Sequence, residues 1–183
     1  MSASRITQNN LILKNLLKFY QQNNHLDKML SIINDKSGLS LRIVDWFATN
    51  YSKQYYVTYA TPLEARFKVY VDYKLCLRAY SKRRFDPFCR WDRISIPYKD
   101  GLHVQTTIGQ LNFFKWALEN QVINYIQLNT AAIEADMNMR NSTSKRRIAP
   151  ASDTKTRKKR EELSVSASKM VQREDIEIVV KFD

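Results

Sequence analysis

Apolar residues recur at intervals of three and four through the opening part of the chain, and that period constrains the fold more than any other feature. Leu13, Leu16, Leu17 and Tyr20 share one face of a helix expected over 9–22. Leu26, Met29, Leu30 and Ile33 do the same over 25–34. Gly38 is expected to end that second helix, because a residue just past a helix C-terminus adopts positive φ most cheaply as glycine. Ser40 is placed to cap a third helix carrying Ile43, Val44, Trp46 and Phe47. Stripes of this kind read first as core. With 3 glycines and 4 prolines in 183 residues, the chain lacks the turns of a sandwich or barrel. The fold class expected is therefore mainly α with a minor β part (α+β).

The β part is read from short alternating runs. Residues 54–60 are rich in β-formers and suggest a short strand. Pro62 stands where a first-turn proline is tolerated. A helix is expected over 63–82, with Phe67, Tyr70, Val71, Leu75 and Ala79 on one side. The opening of that stretch also alternates, so a strand is the alternative there. Ile94, Ile96 and Tyr98 alternate, Asp100-Gly101 follows, and Val104 and Thr106 resume the pattern, which is a hairpin signal. Thr107 can cap a helix with Leu111, Phe114, Trp116 and Leu118 inward. A break near Asn120 leads to another helix, from Val122 to about Met139.

Composition changes near residue 139. All aromatics but Phe182 precede it. A packed domain is expected over 1–139 and a basic, largely disordered tail over 140–183, since a polar, charged segment cannot repay the entropy of ordering. Within the tail, 176–182 alternates and reads as a strand able to pair with the domain or with another chain.

The net charge of +12 points to a polyanionic partner. It concentrates over 66–93, where Arg66, Lys68, Lys74, Arg78, Lys82, Arg83, Arg84, Arg90 and Arg93 outnumber Asp72, Asp86 and Asp92. Cations neutralise phosphates and interleaved aromatics stack on bases, or else fill a core. The candidate nucleic-acid-binding residues of this face are Arg78, Tyr80, Lys82, Arg83, Arg84, Phe88, Arg90, Trp91 and Arg93. Two tail clusters join them: Lys145, Arg146 and Arg147, then Arg157, Lys158, Lys159 and Arg160. Their spacing is also that of a bipartite nuclear import signal. The segment 108–126 has the outline of a helix-turn-helix, but Gln121, Asn124 and Gln127 are poor base readers, so an ordinary helical hairpin is the default.

For catalysis the sequence offers no Gly-rich phosphate loop, no nucleophile elbow and no His-rich metal motif. Asp86 and Asp92 read as salt-bridge partners of nearby arginines. Cys76, Cys89, His25 and His103 lack the paired spacing of a zinc site, and free thiols are expected. No metal, cofactor or enzymatic activity is expected. The N-terminus carries no apolar signal-peptide core and no apolar run approaches about 20 residues, so no membrane span is expected.

Four stretches together resemble an uncharacterised protein family of large nucleocytoplasmic DNA viruses: DWFATNYSK at 45–53, FDPFCRWDRI at 85–94, TTIGQLNFFKWALENQVINYI at 106–126 and KKREELSVSASK at 158–169. The resemblance covers most of the chain from about residue 40 onward. It brings no activity and no functional residue. It implies a context, a virus that packages a large duplex genome and replicates in a cytoplasmic factory or nucleus. The function expected is a non-enzymatic DNA-associated protein acting through phosphate neutralisation, its partner being duplex DNA. The alternative is a virion structural protein that binds acidic viral proteins and forms oligomers through its C-terminal strand. The expected location is the virion, the host nucleus or the viral factory.

Overall fold

The computed structural model describes residues 8–34, 36–146 and 173–174. Helix α1, Gln8–Tyr20, buries Leu16 and Tyr20, with Leu13 and Leu17 packed against the same core. Helix α2, His25–Ile33, buries Leu26, Met29, Leu30, Ile32 and Ile33. It ends earlier than Gly38 implied. Asn34 closes it by donating its amide to Leu30 O at 2.9 Å. Gly38, with φ of 72°, lies in the loop beyond.

Helix α3, Leu41–Trp46, starts at its expected cap, the Ser40 hydroxyl accepting the Ile43 amide at 3.3 Å. The chain then widens into a π-helical turn, Phe47–Tyr51, and ends in α4, Ser52–Gln54. Two hydroxyls bond back along this stretch: Thr49 Oγ1 donates to Asp45 O at 2.8 Å and Ser52 Oγ to Ala48 O at 3.0 Å. Such bonds compete with the regular ladder and favour a local distortion.

The strand expected over 54–60 is β1, Thr58–Tyr59, paired antiparallel to β2, Phe67–Lys68. Helix α5 therefore begins at Val69 and ends at Tyr80, instead of starting at Leu63. Pro62 belongs to a turn held by the Glu64 amide donating to Thr61 Oγ1 at 3.0 Å. Pairing with β1 fixes the phase of α5. Val69 and Tyr73 turn inward, while Val71, Leu75 and Ala79, grouped with the now buried Phe67 by the sequence pattern, are exposed.

The hairpin forms as the sequence suggests. Strand β3, Arg93–Pro97, pairs antiparallel with β4, His103–Thr107, with Ile94 opposite Thr106 and Ile96 opposite Val104. Gly101, at φ 73°, lies in the connection. Thr107 Oγ1 accepts the Gln110 amide at 3.1 Å and so caps α6, Ile108–Glu119. This helix is the centre of the molecule. Leu111, Phe113, Phe114 and Ala117 are wholly buried, and so nearly are the polar Gln110 and Asn112. Tyr20 donates its hydroxyl to Leu111 O at 2.6 Å, which ties α1 to it.

After Gln121, at φ 56°, comes α7, Val122–Arg146. It is broken at Asn129, whose side-chain Nδ2 donates to Tyr125 O at 2.9 Å. The helix runs past the expected end near Met139, an exposed residue. Inward, Asp136 accepts from Trp46 Nε1 at 3.0 Å and Tyr55 Oη at 3.2 Å, which fastens α7 to α3 and to the residue that follows α4, and from Arg140 Nε of its own helix at 3.1 Å. A buried carboxylate is tolerated only with such partners.

Strand β5, Arg173–Glu174, adds to the far side of β4, opposite Val104 and His103. The expected strand over 176–182 lies outside the described residues, as do Arg147, Arg157, Lys158, Lys159 and Arg160. The architecture is mainly helical with small antiparallel sheets, as the sequence implied. No described helix is long and apolar enough to cross a membrane.

Candidate nucleic-acid interface

The densest part of the basic stretch is a loop laid across the start of α6. Ser81, at φ 65°, turns the chain out of α5, and Lys82–Arg84 form a single 3-10 turn. Phe85 then plunges into the core, 1% exposed, against Tyr73, Phe113 and Trp116. From there the backbone touches α6 directly. The Asp86 amide donates to Gly109 O at 3.2 Å. A Cβ on Gly109 would lie 2.8 Å from Cys89 Cβ and 3.0 Å from Arg83 O, so only glycine allows this approach.

The buried polar side chains of α6 and its cap serve the same contact. Asn112 Nδ2 donates to Arg84 O at 3.0 Å, and Gln110 Nε2 to Pro87 O at 3.2 Å. Thr107 Oγ1 donates to Cys89 O at 3.4 Å. Cys89 is buried, and its thiol faces Arg83 O at 3.3 Å. Asp86 Oδ1 accepts the Phe88 amide at 2.8 Å and tightens the next turn. Carbonyls buried away from water need such donors. The loop is thus bonded to the core along its length.

Its outer side holds the cations. Arg83 forms a two-pronged pair with Asp92, Nε to Oδ2 at 2.9 Å and Nη2 to Oδ1 at 3.1 Å. Arg84 donates to Gln8 Oε1 at 2.8 Å, and Lys82 lies 3.9 Å from Asp86. Arg90 and Arg93 are exposed and have no ion-pair partner among the described residues. Between them stands Trp91, 73% exposed. The other two candidate aromatics differ. Tyr80 stacks on Phe85 with ring centres 6.2 Å apart, and Phe88 packs against the core. Arg78 is exposed on α5, away from this loop in the chain, and Lys145 and Arg146 form the last turn of α7.

Negative charge lies near the loop as well. Burial, then the neighbouring Asp86, pushes the Asp45 carboxyl up to about 6, and Lys82 works against the shift. Burial, then Asp45 and Asp86, pushes the Tyr73 phenol up to about 12. Within α5, burial and then Asp72 push the Cys76 thiol up to about 11, so it stays protonated at neutral pH. Among the described residues no three of His, Cys, Asp or Glu converge as a metal site. What this segment offers chemically is exposed positive charge on either side of an open indole in the chain.

The sequence pointed to the arginines and to Trp91 but not to the residues that hold them, Thr107, Gly109, Gln110 and Asn112. The available signal was the polar pair and glycine inside an otherwise apolar helix.

A model described as "Family of unknown function (DUF7197)" matches residues 3–182. A relative from Acanthamoeba polyphaga mimivirus, "Uncharacterized protein L507", is 44% identical over 117 residues, covering 60% of this chain and 45% of the relative. The matched stretch thus spans less than half the length of that relative. No solved structure matches. The resemblance to an uncharacterised family of large DNA viruses is borne out.

Proposed function

This chain belongs to that family of unknown function, and from its own surface we propose that it is a non-enzymatic viral protein that binds nucleic acid by neutralising phosphates. The observation that carries the reading is the pair Arg90 and Arg93, exposed without ion-pair partners among the described residues, on either side of an open Trp91. The loop that presents Arg90 and Trp91 is bonded to α6 and Arg93 opens the paired strand β3, so little order has to be imposed on binding. Arginine suits the task because its planar fork meets two phosphate oxygens at once. The basic tail clusters add charge to the same ligand, and the net +12 supplies long-range attraction. The relative is a viral protein, and the role we propose in that setting is a genome-associated component of the virion, the viral factory or the nucleus.

Titration of a labelled DNA at several salt concentrations tests this. Affinity is expected to fall with salt at a slope of about −0.9 per phosphate neutralised. The double change Arg90→Glu and Arg93→Glu is expected to flatten that slope and weaken binding at least about tenfold, consistent with loss of two charge-assisted contacts. Binding that ignores salt overturns the proposal.

A second reading rests on the outer face of α5. Val71 and Leu75 are 53% and 56% exposed, between the exposed cations Lys74 and Arg78. Apolar contact rimmed by positive charge suits an acidic protein partner, the virion-structural alternative. Binding to an acidic viral protein that survives Arg90→Glu and Arg93→Glu but fails in Leu75→Glu favours this reading.

A further inference from the structure

We propose that the Trp91 loop is a stacking platform for unpaired bases, so that the ligand of this site is single-stranded nucleic acid; this rests on the phosphate-binding reading above. The indole is 73% exposed on a chain whose other two tryptophans are engaged. Trp116 is 5% exposed and donates to Asp72 Oδ1 at 2.6 Å, and Trp46 donates to Asp136. Trp91 has no hydrogen bond through its ring nitrogen and no ring partner among the described residues. An open tryptophan gives up the apolar burial that the other two have.

The backbone that carries it is held on both sides. Ahead of it, Cys89 is packed on Gly109, and its carbonyl takes the Thr107 hydroxyl. Behind it, Asp92 sits at φ 54°, a strained value for a side-chain-bearing residue, and is gripped by Arg83 through two bonds. The backbone on both sides of the exposed ring is thus held in place. Arg90 and Arg93 stand beside it to take phosphates.

This arrangement discriminates by access to base faces. A closed duplex hides every base face in its stack, so it meets the arginines but not the indole. An unpaired strand offers faces to the ring and phosphates to the arginines together. The contact reads a π-face, so it tolerates any base.

The test uses the full chain with three probes: an oligothymidylate, a fully paired blunt-ended duplex of matched phosphate count, and an abasic oligomer with the same sugar–phosphate backbone. Indole fluorescence and a labelled-probe isotherm are read together. The oligothymidylate is expected to bind roughly five- to a hundredfold tighter than the duplex, the range a stacked base supplies. The abasic oligomer should fall to the duplex level. Trp91→Ala should erase the preference, bringing the oligothymidylate down to the affinity the same variant has for the duplex, because the stacked face is lost while the phosphate contacts of both probes are alike. Trp91→Phe should keep part of it and controls for the fold. If Trp91→Ala retains the preference, or the abasic strand binds like the intact one, the platform is overturned while salt-dependent phosphate binding stands. If none of the three probes binds, the phosphate reading fails and this one falls with it. Binding of anionic lipid vesicles in place of all three, lost in Trp91→Ala, would likewise overturn it in favour of a membrane surface.

Discussion

Along α5 the tyrosines face the core and the cations face water, whereas in the loop after it the backbone faces the core and an aromatic faces water. The two regions are built from the same residue types. Tyr73 is buried and Tyr70 and Tyr80 pack against the core, while Lys74 and Arg78 point outward. In a helix the period decides which side each residue takes, and interleaved aromatics fall together on the buried face. The loop has no such period. Its direction is set residue by residue through bonds to α6, which leaves Trp91 and two arginines outside. Interleaving of basic and aromatic residues is therefore no sign of an interface until the backbone is known.

The contact at Gly109 is the sharpest place to break this difference. Gly109→Val would push a branched side chain into Cys89 and the Arg83 carbonyl, both of which belong to the packed loop. Neither can retreat without moving the chain. A loss of about 3 kcal/mol or more is expected, at the upper end for overpacked cores. Urea denaturation measures it. A variant as stable as the parent would mean that the loop lifts off α6 freely, and the contrast with α5 would vanish.

Next in size come the two amides that feed the loop. Asn112→Ala and Gln110→Ala each leave a carbonyl, of Arg84 or of Pro87, without its donor. A cost of roughly 2 kcal/mol each is expected, the usual penalty of an unsatisfied buried group. Both amides serve one loop, so the double variant should cost less than the sum of the singles. Full additivity would show that the loop is held in independent pieces.

Asp45 tests the charge near the loop. Its carboxyl titrates near 3.8 when unhindered and is raised to about 6 in the fold. The folded state thus holds the proton more tightly than the unfolded chain. Stability must fall as pH rises from about 4 to about 6, and stays low above that. Asp45→Asn is expected to stabilise the protein by about 1–2 kcal/mol at pH 7, with the gain fading toward pH 4. Urea midpoints across this pH range measure it. A destabilised variant at pH 7 would show that Lys82 and Asp45 attract more than burial repels.

How much of this was readable beforehand differs between the regions for a physical reason. The early helices, the Ser40 and Thr107 caps and the hairpin depend on local period and local donors, and these are visible in order along the chain. The phase of α5 depends on Phe67 pairing with Tyr59, a two-residue contact across a turn, and a helical period masks it. The π-helical turn after Trp46 leaves no periodic mark. The loop scaffold is the least legible part, because Gln110 and Asn112 bond to backbone carbonyls that every residue possesses. Arginines at 83, 84, 90 and 93 could be listed from the sequence. That Arg83 would be spent on Asp92 and Arg90 left open could not.

The smallest expected effect on stability separates fixed geometry from charge count. Arg83→Ala and Arg78→Ala each remove one exposed cation, the first from the loop and the second from α5. The Arg83–Asp92 pair is exposed, with side-chain accessibilities of 66% and 56%. Exposed pairs contribute at most about 1 kcal/mol, so both variants should unfold within about 0.5–1 kcal/mol of the parent. Long-range attraction to a polyanion should also drop equally, since the charge removed is the same. What differs is the turn. Without Arg83, Asp92 loses the two bonds that hold its left-handed conformation in place, and its freed carboxylate stands beside Arg93 and Trp91. Arg83→Ala should therefore weaken binding of an oligothymidylate several-fold more than Arg78→Ala, in keeping with the cost of ordering a loosened loop. Amide exchange at residues 90–92 should quicken in the first variant and not in the second. Equal losses of affinity would show that the arginines act as a count of charges, and that the anchoring of the loop to α6 has no part in binding.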